Sequence, residues 1–177
     1  MTPAQAIAAT RSVAPIWSAF PIADREAAAR RFAEIVSKRR ADWVAAICRE
    51  TGKPRWESNT EVDSIIAKVA ISIESRAARR SFSSHSESGI TSGVRYKPLG
   101  VAIVLGPFNF PGHLPNGHVV PALLAGNCVV FKPSEHCPLV GELMNQCWHA
   151  AGIPFGTFNL VQGGRSVGEQ LIADPRI

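Results

Sequence analysis

Apolar residues at Val62, Ile65, Ile66, Val69 and Ile73 recur three and four positions apart, the spacing of one helical face, so residues 56–79 are expected to form a helix with that stripe turned inward. The same period precedes it twice. One helix is expected through Ala27, Phe32, Ile35 and Val36 with Asp24 as its N-cap, and another over 42–50, stopped by Gly52 and Pro54. Residues 4–19 carry helical spacing as well, with Pro15 interrupting it.

Beyond residue 98 the period changes. Short continuous apolar runs at 101–105, 128–131 and 158–161 are the signature of strands buried on both faces. Helical spacing over 118–124 separates the first two, with Gly126 and Asn127 as its stop, and a helix over 166–173 follows Gly163 and Gly164. Between the two regimes, 81–93 is rich in Ser, His, Glu and Gly and reads as a loop, with a short strand over 94–97. No internal repeat is evident.

The implied fold class is α/β: amino-terminal helices followed by a partial parallel, Rossmann-like βαβ sheet with right-handed crossovers. Three segments result: 1–80 helical, 81–97 loop and short strand, and 98–177 a partial βαβ region, all in one domain, and the resemblance set out below implies that 98–177 is NAD-binding and the domain truncated. Pro107 and Pro111 exclude a regular helix between them, which puts Asn109 on an irregular loop at a strand's carboxyl end. Lys132 and Glu135 fall at the carboxyl end of the next strand, and ligands of open parallel sheets bind on that rim. No GxGxxG occurs, so a conventional Rossmann phosphate loop is absent from these residues.

Composition narrows the class only modestly. At 177 residues, with 46% hydrophobic and 19% charged positions, the chain is long and apolar enough for a globular core. Cys48, Cys128, Cys137 and Cys147 lack the spacing of a disulfide framework or a zinc site, and no apolar run suits a signal peptide or membrane span. A cytoplasmic setting is expected. His113 and His118 are too unevenly spaced to share a helix face as metal ligands. The formal charge of +5 includes basic clusters at 38–40 and 76–80, which read as solvated helix faces and not as a nucleic-acid surface, because no aromatic platform accompanies them.

The motifs GPFNFP (106–111), PALLAGN (121–127) and FKPSE (131–135) together resemble the aldehyde dehydrogenase superfamily. GHLPNGH (112–118) and RETGKPRWE (49–57) are most similar to the branch that oxidises N-succinylglutamate semialdehyde in arginine catabolism. Nearly the whole chain follows the pattern in order.

The resemblance implies roles residue by residue. Asn109 stands where the family places an amide that holds the negative oxygen formed when a cysteine thiolate attacks the aldehyde, a suitable task for a preorganised neutral donor. Without the family, Asn109 reads as a residue satisfying backbone groups in a Pro-rich turn. Lys132 and Glu135, with Ser134 between them, match the family's reader of the adenosine ribose, lysine donating and carboxylate accepting. The carboxylate favours NAD over NADP, whose extra phosphate it would repel. Spacing alone describes a charged strand-to-helix loop with Ser134 as N-cap. Gly163 and Gly164 are candidates for close backbone approach to the adenine, although a Gly-Gly pair is in itself a turn signal.

The family's nucleophilic cysteine and general-base glutamate belong to motifs of the GQxC and ELGG kinds, and neither occurs in the 177 residues. None of the four cysteines present fits that role. Cys48 and Cys147 lie in helical patterns, Cys128 opens a strand, and Cys137 follows His136 in a loop. The chain is therefore expected to be an amino-terminal piece of an NAD-dependent dehydrogenase of anionic semialdehydes, inactive alone and binding NAD weakly or not at all. The alternatives are a nucleotide-binding module and an interaction module that pairs with a complementary dehydrogenase chain; a homo-oligomer remains open.

Overall fold

The structure, a computed structural model, describes residues 1–79 and 83–177. Helix α1 spans Pro3–Ala19 and opens with a capping box, in which Thr2 accepts from the Gln5 N–H while the Gln5 side chain accepts from the Thr2 N–H. Pro15 does not interrupt it, contrary to expectation. The last turn is anchored instead by Val13 and Trp17, both buried, and the Trp17 indole donates to the Leu123 carbonyl at 3.1 Å. Tertiary burial here outweighs the hydrogen bond that proline removes.

Helix α2 spans Ile22–Lys38 and starts before Asp24, with Pro21 at the N-cap position. Asp24 acts from the first turn, where a carboxylate meets the positive end of the helix dipole. Helix α3, Arg40–Thr51, ends as the sequence predicts: Gly52 adopts φ 76° and its N–H donates to the Cys48 carbonyl. Helix α4 spans Arg55–Arg79, and Val62, Ile65, Val69 and Ile73 of its expected stripe are buried while Ile66 is half-buried.

The expected loop over 81–93 is corrected in part by the structure. Residues 81 and 82 lie outside the described residues, but Ser83–Glu87 (β1) and Ile90–Val94 (β2) form an antiparallel hairpin. Ser88 and Gly89 turn it with φ of 51° and 79°, both positive as a type I′ turn requires. All ten strand residues are exposed, so no apolar alternation announces the strands. The short strand expected over 94–97 is also corrected: Val94 closes β2, and 95–99 carries no strand.

The main sheet has the order β3-β4-β5, all parallel, with β3 at Val101–Leu105, β4 at Cys128–Lys132 and β5 at Phe158–Leu160. Register pairs Val101 with Cys128, Leu105 with Lys132, and Val129 with Phe158. Strand β4 is central and buried throughout, and its alternate residues serve opposite faces. Val130 packs with Ala6 and Ile7 of α1 and with Leu171 of α7 (Arg165–Ile172). Val129 and Phe131 join the larger core with α5 (His113–Leu124) and α6 (Pro138–Ala150). Helices α2, α3 and α4 pack outside α5 and α6, with the Phe32 and Trp148 rings stacked at 4.2 Å between centroids.

Two further helix starts differ from expectation. Helix α5 begins at His113 and not at 118, because a carboxylate from α4 supplies its cap, as described below. Helix α6 begins at Pro138 with Cys137 as N-cap, so Ser134 is not a cap. Its Oγ accepts from the His136 N–H at 3.3 Å and its carbonyl from the Cys137 N–H at 3.0 Å, which closes the turn after β4.

Candidate functional site

Strands β3 and β4 leave the sheet side by side, and the loops at their carboxyl ends form one rim with the turn after β5. Lys132, the last residue of β4, is buried and runs its stem toward α7. Its ammonium donates to the Gly163 carbonyl at 2.7 Å and to the Pro133 carbonyl at 2.9 Å. It also lies 3.8 Å from Glu135 Oε2. The Glu135 carboxylate is half-exposed, and its own backbone N–H, then Lys132 and His136, hold it below the ordinary carboxylate range. It is thus an ionised acceptor facing solvent at neutral pH.

The glycine pair completes this cluster by being small. A Cβ on Gly163 would stand 2.5 Å from Val167 Cγ2, and its φ of 146° suits glycine alone. Gly164 N-caps α7, and a Cβ there would meet only Glu135 Oε1, at 3.9 Å. Lys132, Ser134, Glu135, Gly163 and Gly164 are therefore neighbours.

Asn109 stands apart on the loop after β3. Its side chain is exposed and makes no hydrogen bond among the described residues, so it does not satisfy the turn's backbone. The two loops nevertheless touch. Cys137 Sγ lies 3.7 Å from the Phe108 carbonyl, the Phe108 and His136 rings meet edge-on at 5.7 Å, and the Gly106 N–H donates to the Lys132 carbonyl at 2.8 Å.

Three residues that sequence reasoning left without roles hold these loops. Glu61, in α4, is fully buried; one carboxylate oxygen accepts from the Gly112 and His113 N–H groups at 3.0 and 3.2 Å, and the other lies 2.9 Å from the Lys53 ammonium. Lys53 also sits 3.6 Å from the centroid of the Phe110 ring. Glu50 accepts from the Leu139 N–H at 2.7 Å and the Val140 N–H at 3.0 Å, at the start of α6. A signal for Glu61 was present, since it is a lone carboxylate next to Val62 and four before Ile65 on an inward stripe.

No thiol is poised for attack. Burial pushes Cys128 up to about 12 and, with Glu50 and Glu61 nearby, Cys137 up to about 11. Burial also raises Cys147, and Cys48 donates to Ser58 Oγ at 3.2 Å. Cys137 is instructive, because an N-cap position ordinarily favours the thiolate and desolvation overrides it here.

The sequence matches the aldehyde dehydrogenase family over residues 2–177. The chain belongs to that family. It is 49% identical over 174 residues to the N-succinylglutamate 5-semialdehyde dehydrogenase of Erwinia tasmaniensis, covering 98% of this chain and 35% of that protein. The enzyme of the same name from Ectopseudomonas mendocina is 50% identical over 173 residues, covering 98% and 36%. The chain thus spans about a third of the length of the curated relatives it matches. Among solved structures, the NADP-dependent glyceraldehyde-3-phosphate dehydrogenase of Bacillus halodurans, complexed with NADP, superimposes with a TM-score of 0.91 at 28% identity, covering 99% of this chain and 38% of that one. A lactaldehyde dehydrogenase gives 0.92 at 29% identity, covering 99% and 37%. These neighbours share the helices and the parallel three-strand sheet, as the α/β reading requires.

Proposed function

We propose that these residues supply the ribose reader and the oxyanion donor of an NAD-dependent aldehyde dehydrogenase that oxidises N-succinylglutamate 5-semialdehyde to N-succinylglutamate in arginine catabolism, in the cytoplasm. The observation that carries the reading is the Lys132–Glu135 pair, 3.8 Å apart on the rim of a chain about half identical to enzymes of that name.

The residues fit the cofactor. Lys132 uses two carbonyls to fix its ammonium beside Glu135, so a donor and an ionised acceptor stand together as vicinal hydroxyls require. Glu135 would repel a 2′-phosphate, which favours NAD although a structural neighbour carries NADP. NAD, when bound, would take up the hydride that the aldehyde loses. Asn109 presents its amide N–H to the aldehyde oxygen as that oxygen becomes negative, and its freedom from the backbone leaves it available. The nucleophile is none of the four cysteines here: burial disfavours a thiolate at Cys128, Cys137 and Cys147, and Cys48 donates to Ser58 Oγ in the helical layer away from the rim.

The test is an NMR titration of the labelled chain. NAD at millimolar concentration should move the amide signals of Lys132, Glu135, Gly163 and Gly164 first, and NADP should move them less. Shifts confined to other residues, or a response that survives Lys132→Ala and Glu135→Ala, would sink the proposal.

A second reading, pairing with a complementary dehydrogenase chain, is favoured by one observation. Strand β3 forms the sheet's edge, with Leu105 46% exposed and Val101, Ala102 and Ile103 half-buried.

A further inference from the structure

Segment 50–61 joins the end of α3 to the first turns of α4, and each of its ends reaches a different loop of the rim. At one end Glu50 places both carboxylate oxygens on the first N–H groups of α6, behind the Lys132–Glu135 loop. At the other, a single Glu61 oxygen accepts from the Gly112 and His113 N–H groups at the start of α5, behind the loop that carries Asn109, and the second oxygen faces Lys53. An anion at a helix N-terminus satisfies donors that otherwise lack acceptors and interacts favourably with the dipole.

The Glu61 end is built more tightly. Gly112 is pressed against α4 so closely that a Cβ would stand 2.5 Å from Ile65 Cδ1, and this approach lets its N–H reach the carboxylate. Asn116, fully buried one turn on, donates to the Ile65 carbonyl at 2.9 Å. A buried carboxylate needs a counter-charge, and Lys53 supplies it. The same ammonium rests on the Phe110 ring, next in sequence to Asn109. Charge, helix start and aromatic ring thus form one chain of contacts ending at Phe110, the residue that follows the candidate oxyanion donor.

We propose that segment 50–61 is a brace whose Glu61, with Lys53, is a positioning residue for Asn109, while Glu50 independently positions the ribose-reading loop. The inference rests on the reading of Asn109 given above, but it concerns the free chain.

Its test is amide hydrogen exchange and side-chain NMR on all 177 residues without nucleotide, so a failed NAD titration leaves the outcome readable. Glu61→Ala should speed exchange at Gly112 and His113 by about tenfold or more relative to Leu139 and Val140, and shift the Asn109 side-chain amide. Glu50→Ala should do the reverse. Glu61→Gln, which keeps an acceptor, should hold Gly112 within about threefold of the parent rate, a rescue that general destabilisation would not give. Lys53→Met should move the Phe110 ring protons and the Asn109 amide together. An unmoved Asn109 amide in Glu61→Ala, or equal acceleration at all four amides in both alanine variants, would overturn the proposal. If Glu61→Ala does not fold, unchanged Phe110 and Asn109 signals in both Glu61→Gln and Lys53→Met would overturn it equally.

Discussion

The Lys132 ammonium donates to the Gly163 carbonyl at 2.7 Å, joining the end of β4 to the turn after β5. Lys132 therefore serves the fold before it serves a ligand. Lys132→Met keeps the stem and removes the donor, leaving the Gly163 and Pro133 carbonyls short of a partner. A loss of about 1–3 kcal/mol is expected, measured by urea denaturation.

The two glycines of the turn should separate fold from ligand. At Gly163 a methyl group meets Val167 and the backbone is in a region that disfavours side chains, so Gly163→Ala should cost roughly 1–3 kcal/mol. At Gly164 the added carbon meets only the Glu135 carboxylate. Gly164→Ala should leave the melting temperature nearly unchanged while weakening the NAD-induced shift at Glu135. Equal thermal losses in the two variants would contradict this division.

The sequence made the sheet and the rim legible because burial writes itself into the pattern: Val101–Leu105, Cys128–Lys132 and Phe158–Leu160 are apolar runs, and proline fixes the loop between them. The hairpin was illegible for the converse reason, since Ser83–Glu87 and Ile90–Val94 bury nothing and only the Ser88-Gly89 turn marks them. Helix starts were misplaced wherever the cap is distant in sequence. Glu61 stands 51 positions before the Gly112 N–H it accepts from, and Glu50 stands 89 before Leu139. Local capping rules do not reach that far. Ser134 was a sound local candidate that Cys137 and Pro138 displaced. The place of Asn109 on an irregular loop followed from Pro107 and Pro111, but its oxyanion role came only from the family motif.

Thiol titration gives a direct check on the cysteines. Cys128, Cys137 and Cys147 are buried and Cys48 is half-buried, so a bulky disulfide reagent at pH 8 should find at most one thiol in the native chain and four in denaturant. The raised thiols also set a pH dependence. Cys128 and Cys137 remain protonated when folded up to about 12 and about 11, whereas unfolded thiols ionise near 9.0, so the unfolded state binds fewer protons in that window. Their contribution to stability is complete below pH 9 and is lost as pH rises through 11 to 12. The urea midpoint should fall across that range, less steeply in Cys128→Ala.

The exposed edge of the sheet yields the last prediction. Strand β3 pairs with β4 on one side, and its other side presents backbone donors and acceptors beside the exposed Leu105 side chain. An apolar parallel-type strand left at an edge is a template for another strand. The chain should therefore self-associate as its concentration rises, or bind a chain carrying the remainder of a related dehydrogenase. Leu105→Lys places a charge at that edge without removing a buried contact of comparable size. It should shift sedimentation toward monomer and weaken the mixed complex while leaving the melting temperature within about 0.5–1 kcal/mol equivalent of the parent. A parent chain that stays monomeric at high concentration and ignores the complementary half would show that β3 is not an association edge.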